Sequence, residues 1–178
     1  MNWTELLTDA IEDNFRVADN LMAMVDDEDL DWKPVTGSNW MTTGQLLMHM
    51  TNSCGFCCRG FLTGDWSMPE CDGAPEGEAP EHESMLPPAE ALPATGSVRA
   101  AREALAVDRQ LALDTVARAG EQKLANEKAA APWDPDHAEL FGRQFLGMVL
   151  HLQSHKNQLF YYLKLMGRDV NTMHLWGM

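Results

Sequence analysis

The chain is short of positive charge. Its 178 residues hold 13 Lys and Arg against 27 Asp and Glu, a formal net charge of −14, and the pI is near 4.6. A surface that acidic repels phosphate backbones, and no local basic patch offsets it, so nucleic-acid binding is excluded. No apolar run reaches the length of a transmembrane helix, which excludes a membrane span. The first residues, Met1-Asn2-Trp3-Thr4-Glu5, lack the basic and apolar regions of a signal peptide. The cytoplasm is then the expected compartment, where the four cysteines are reduced thiols. There is no Gly-rich phosphate loop, no Ser-His-Asp set, and no paired carboxylates at usable spacing. The Glu-x-x-His repeats of a di-iron bundle are missing too. Nothing reads as strand-rich, and no internal repeat is found.

What the chain has is helical periodicity. Leu6, Leu7, Ala10, Ile11, Val17, Ala18, Leu21, Met22 and Val25 recur at intervals of three and four, which predicts a helix from Trp3 to about Val25. Asn14 falls near this stripe, either as a group orienting a site residue or with a local hydrogen bond. Asp26 to Trp40 is a connector broken by Pro34 and Gly37, with Trp32 and Trp40 as hydrophobic anchors. A second helix is predicted from about Thr43 to Leu62, capped by Thr42 or Thr43, with Leu46, His49, Met50, Ser53, Cys57 and Phe61 inward. Asp65 to Gly96 carries six prolines and eight carboxylates and no Lys or Arg. Such a segment is a long surface loop rather than a core helix. A third helix spans Ser97 to Ala119 after a cap at Thr95 or Ser97 and ends at Gly120, with Asp108 inside its apolar stripe. A polar connector follows, in which Asp134 and Pro135 suit the N-cap and first position of the last helix. That helix ends at Gly167, and the tail after it has no clear period. The stripe of Met22, Met48, Met50 and Met148 is core filler.

These elements make one domain, residues 1–178, with an all-α architecture: a four-helix bundle with a long acidic, Pro-rich loop between helices 2 and 3.

His151 and His155 stand four residues apart, one turn along the same helix face, with Cβ atoms about 5–6 Å apart. His49 lies inward on another helix. Three neutral imidazoles suit zinc, nickel, iron or copper. Three protein ligands on zinc leave an open position for water or a substrate, which is the arrangement of catalytic sites. The plainer reading keeps His49, His151 and His155 as separately satisfied core histidines. Cys54-x-x-Cys57-Cys58 does not converge on the histidine face along a continuous helix, and Cys71 lies in the acidic loop; these read as reduced, partly buried thiols. His82, His137 and His174 read as solvated surface. Asp108 and Asn14 are candidates for orienting a ligand histidine or moving a proton.

Several stretches together carry a family resemblance. Trp32-x-Pro34, Ser38 to Thr43, Leu46-Leu47-x-His49, and His151-x-x-x-His155-x-x-Gln158-Leu159-x-x-Tyr162-Leu163-x-x-x-Gly167 resemble the DinB/YfiT-like family. The resemblance spans most of the chain, the Pro-rich loop least. It implies an up-down-down-up bundle and a divalent metal, zinc or nickel or else iron, held by His49, His151 and His155. It also implies a homodimer, and for some relatives a low-molecular-weight thiol as substrate of a transferase or isomerase. One departure is local: Lys156-Asn157-Gln158 follows His155 where the family often has Arg-Gly-Gln. The function expected is that of a metal-dependent enzyme activating a thiol or water for transfer, isomerisation or hydrolysis, with Asp108 and Tyr162 assisting catalysis. The alternatives are a non-catalytic metal-binding stress-response module and a plain helical dimer without metal.

Overall fold

The structure is a computed structural model that describes residues 2–67 and 88–178. Helix α1, Trp3–Met22, starts at a capping box in which Asn2 Oδ1 accepts from Glu5 N at 2.9 Å and Glu5 Oε2 accepts from Asn2 N at 3.2 Å. These two bonds satisfy backbone groups that a helix start leaves unpaired. Its inner face buries Leu7, Ile11, Phe15, Ala18, Leu21 and Met22, the three-and-four spacing expected of an amphipathic helix. Trp32 and Trp40 anchor the connector by packing edge-on against Tyr162, with centroids 5.2 and 6.3 Å away.

The second helix is not continuous. It divides into α2, Thr43–Met50, and α3, Gly55–Thr63, where the sequence predicts one helix from Thr43 to Leu62. The side chains of Thr51-Asn52-Ser53 explain the break. Thr51 Oγ1 donates to Met48 O at 2.7 Å and Ser53 Oγ to Met50 O at 3.1 Å, so hydroxyls take carbonyls that the next helical turn would have used. Cys54 is the residue before α3, not part of a run from His49, so helical angles between His49 and the cysteines do not apply. Thr42 is the cap of α2: its Oγ1 accepts from Gln45 N at 3.2 Å.

Helix α4, Val98–Asn126, starts from Ser97, whose side chain accepts from Ala100 N. It does not stop at Gly120. That residue takes φ 68°, ψ 162°, and the helix resumes through Asn126. The following connector is a β-hairpin rather than an irregular link: β1, Lys128–Ala131, pairs antiparallel with β2, Asp134–Leu140, in the register Lys128↔Leu140. Asp134 and Pro135 therefore lie in a strand, and Leu140 is the residue preceding helix α5, Phe141–Leu165. The tail carries a short helix α6, Thr172–Trp176. Leu175 packs on the core while Trp176 stays 60 % exposed.

Side-chain pairs fix the helix directions. Thr4 bonds Glu121, Glu12 pairs with Arg109, and Asp19 pairs with Arg102, so α1 and α4 run antiparallel. Tyr162 reaches Met41 and His151 reaches His49, so α2 and α5 are antiparallel. Thr95 bonds Gly44, and Asp108 bonds Gly55, so the α2–α3 pair and α4 are parallel. A Cβ on Gly142 would meet Trp3, and Gln153 and Lys156 line a cavity with Ala10 and Asp13, so α1 and α5 are parallel. The bundle is thus up-down-down-up. A parallel step from α3 to α4 requires a return connection, and the residues that lead into α4 are pinned beside α2. Gln45 Nε2 donates to Leu92 O at 2.7 Å and Glu90 O at 3.1 Å. Most of the acidic loop, with Pro69, Pro75, Pro80, Pro87, Cys71 and His82, lies outside the described residues. No described helix is long and apolar enough to cross a membrane.

Candidate metal centre

His49 stands in the last turn of α2, next to the break. His151 and His155 occupy successive turns in the middle of α5. Antiparallel packing of α2 on α5 brings the three rings together, edge-on or tilted to one another. The ligand atoms they offer all lie within 4.8 Å of one another. Ring centroids are 4.5 Å apart for His49–His155, 4.8 Å for His151–His155 and 5.2 Å for His49–His151. The group can hold a metal ion.

The electrostatics favour a ligand role. Burial, then the neighbouring His155 and His151, hold His49 down at about 4. Burial and His155 hold His151 at about 4, and burial lowers His155 as well. At neutral pH all three rings are uncharged and present lone pairs, the form that binds metal. The two Nε2 atoms of His49 and His151 are 3.3 Å apart. Two lone pairs cannot face each other there, so one proton or one cation must lie between them. In the metal-free chain one N–H proton fills that place, and a cation could take it.

One ring is locked by a chain of hydrogen bonds whose direction follows from its far end. The Met41 carbonyl can only accept, so the Tyr162 hydroxyl donates to it at 3.0 Å. The hydroxyl oxygen then accepts from Gln158 Nε2 at 3.1 Å. That leaves Gln158 Oε1 facing His155 Nδ1 at 3.1 Å, which makes Nδ1 the protonated nitrogen and keeps Nε2 free for a ligand role. The His151 ring interacts with the Ser53 backbone in the sense that favours a protonated ring, as an N–H donating to a carbonyl does. Ser53 belongs to the break between α2 and α3. The irregular backbone there thus serves the site.

Tyr162 is buried at the end of the Gln158 chain, with Trp32 and Trp40 against its ring. Asp108, 4 % exposed, reaches the break from α4: Oδ2 accepts from Gly55 N at 2.9 Å and Oδ1 from Phe56 N at 2.7 Å. Burial pushes its carboxyl up to about 7, against the pull of the Gly55, Phe56 and Cys54 N–H groups. Helix α4 comes so close here that a Cβ on Gly55 would lie 2.1 Å from Asp108 O; only glycine fits. Asn14 makes the local bond, donating to Ala10 O at 2.8 Å. Cys54 and Cys58 are buried and Cys57 is half-buried, all free thiols. Burial raises Cys57 to about 12 and Cys58 well above its ordinary value, so neither offers a thiolate. His137 lies at the surface, and His174 closes the cap of α6 by accepting from Asn171 N at 3.1 Å. Met22 and Met50 are fully buried in the core, and Met148 packs against it. Gln158 carries no assigned role in the sequence pattern alone. Its spacing from His155 and Tyr162, three and four residues on one helix face, is the signal that finds it.

Two predictions arise from this geometry. Gln158→Ala removes the acceptor that fixes His155 and lowers metal affinity about 10–100-fold. Competition titration with a chromophoric chelator measures it, and unchanged affinity would show that the chain to Met41 does not orient the ligand. The second concerns pH in metal-free protein. The unfolded chain protonates His49 and His151 near 6.5, the folded one only near 4, so stability rises with pH between those values. Asp108 acts with the opposite sign between 3.8 and about 7, but it is one group against two or three. The urea midpoint should climb from pH 4.5 to 6.5; a flat or falling midpoint contradicts the assignment.

An up-down-down-up helical bundle with three histidines converging from its second and last helices defines a class of metal-site bundle. A family model described as the DinB superfamily matches residues 10–159, and the chain belongs to that superfamily. No curated protein and no solved structure matches it significantly.

Proposed function

We propose that the protein is a metal-dependent enzyme in which His49, His151 and His155 hold one divalent ion, zinc or nickel or else iron, with a coordination position left open. The observation that carries this is the convergence of three uncharged imidazoles within 4.8 Å, one with its outer nitrogen committed to Gln158. When bound, the ion supplies Lewis acidity that lowers the pKa of a thiol or a water. The protein's own groups hold the geometry. Gln158 and Tyr162 keep His155 in the ligand tautomer, and Trp32 and Trp40 wall Tyr162 from solvent. Asp108 assists from a distance, by fixing the break that carries Ser53 to His151. The substrate proposed is a low-molecular-weight thiol, and the reaction a transfer to an electrophile; isomerisation and hydrolysis use the same open position.

The test is elemental analysis of protein purified without a His-tag, then a panel of glutathione, bacillithiol and mycothiol with an electrophilic acceptor. About one equivalent of metal and metal-dependent conjugation support the reading. Metal without turnover would make the protein a non-catalytic binding module, and absence of metal after reconstitution would leave a plain bundle. We also propose a homodimer. Leu150, Tyr161 and Leu165 are 45–65 % exposed within one 60° sector of α5 by helical period, an apolar stripe that a second copy would cover. Light scattering giving only the 19.9 kDa chain mass would remove it.

A further inference from the structure

A second polar site lies on the other side of α5, between α1 and the tail. Lys156 is 5 % exposed, and its Nζ donates to one acceptor, Leu175 O, at 3.4 Å. Among the described residues it forms no ion pair. An ammonium group taken out of water with donors unused is costly, because neither charge nor hydrogen bonds are compensated. Lys156 opens on a cavity of about 250 Å³ that Asn14, Arg16, Gln153 and Trp176 also line. Arg16 is held at the rim by two bonds, Nη1 donating to Gly177 O at 2.8 Å and Nη2 to Asp13 Oδ1 at 3.2 Å. Asp13 also lines the cavity; its carboxylate, 75 % exposed, is the one paired with Arg16. The wall is built closely. Gly177 takes φ +69°, and a Cβ on it would lie 2.6 Å from Arg16 Nη1 and Val17 Cγ2. A larger residue would push the tail off α1 and open the cavity.

Two cations therefore line one half-open cavity in a protein of net charge −14, and one of them, Lys156, is buried with no counter-ion among the described residues. We propose that this cavity is a binding site for a small oxyanion, a carboxylate or a phosphate group, with Lys156 as the buried anchor and Arg16 as the rim contact. Asn14 and Gln153 supply neutral polar groups at its walls. The volume takes a group of a few heavy atoms, not a nucleotide. The site is separate from the three histidines and does not rest on their binding metal.

The experiment titrates the full chain with inorganic phosphate and with sodium acetate, each against sodium chloride at matched ionic strength. Readouts are the melting temperature and the tryptophan fluorescence, since Trp176 lines the cavity. The expected result is a saturable response to at least one of the two, with apparent affinity weakened at least tenfold in Arg16→Gln and abolished in Lys156→Met. Phosphate alone assigns a phosphorylated ligand, acetate alone a carboxylate, and both an oxyanion in general. Lys156→Met should also melt higher than the wild type in chloride, because it removes an uncompensated charge, and this readout does not depend on the choice of anion. The proposal is overturned if neither anion gives a saturable response beyond chloride. It is overturned equally if both variants respond as the wild type does.

Discussion

His151→Ala protein will come through tag-free purification and reconstitution without its metal, while keeping the helical circular dichroism of the parent. The ring it removes is one of three donors and faces His49 at 3.3 Å, so the two remaining imidazoles cannot enclose an ion. Losing a partner behind a ligand costs about 10–100-fold in metal affinity; losing the ligand itself must exceed that. Helicity should hold because His151 lies mid-helix and half-buried, and alanine is the best helix former. Elemental analysis and far-ultraviolet dichroism decide the outcome. One equivalent of metal retained by the variant would overturn the three-histidine site. Complete unfolding would instead make the ion structural.

Asp108→Ala will lose about 2–4 kcal/mol of stability. Two backbone N–H groups, Gly55 and Phe56, end on this carboxylate inside the bundle, and a buried donor left unsatisfied costs about 1–3 kcal/mol. The carboxylate also sits at the start of α3, where negative charge is favoured by the helix dipole. Asp108→Asn keeps the shape and one good acceptor, so it should lose roughly half as much. Urea unfolding measures both. A loss under about 0.5 kcal/mol for Asp108→Ala would show that the break does not depend on α4. Because the break also carries Ser53 to His151, the alanine variant should bind metal more weakly even where it is folded.

Much of this arrangement is legible in the residues. The three-and-four spacing of Leu7, Ile11, Ala18 and Leu21 marks α1, and the four-residue step from His151 to His155 marks the metal face. Asp108 shows as a carboxylate in an apolar stripe, but its partners do not show, because they are created by the break at Thr51-Asn52-Ser53. The apolar pattern of Leu46, Met50 and Phe61 runs through that break and conceals it; three consecutive short polar side chains ahead of Gly55 are the signal that competes with it. The hairpin is hidden for another reason. Lys128-Ala-Ala-Ala has no strand propensity, and Pro135 argues against a strand. The two strands exist because each supplies the other's hydrogen bonds at the foot of α5. The chain through Gln158 depends on which way each amide and hydroxyl points, which spacing alone does not give.

His49 and His151 are 102 positions apart. An ion clasped between them could be captured only after both the α2 segment and the middle of α5 have been made and have packed together. Once in place it would act as a rivet across a very large ring of chain, where the entropy withheld from the unfolded ensemble is greatest in principle.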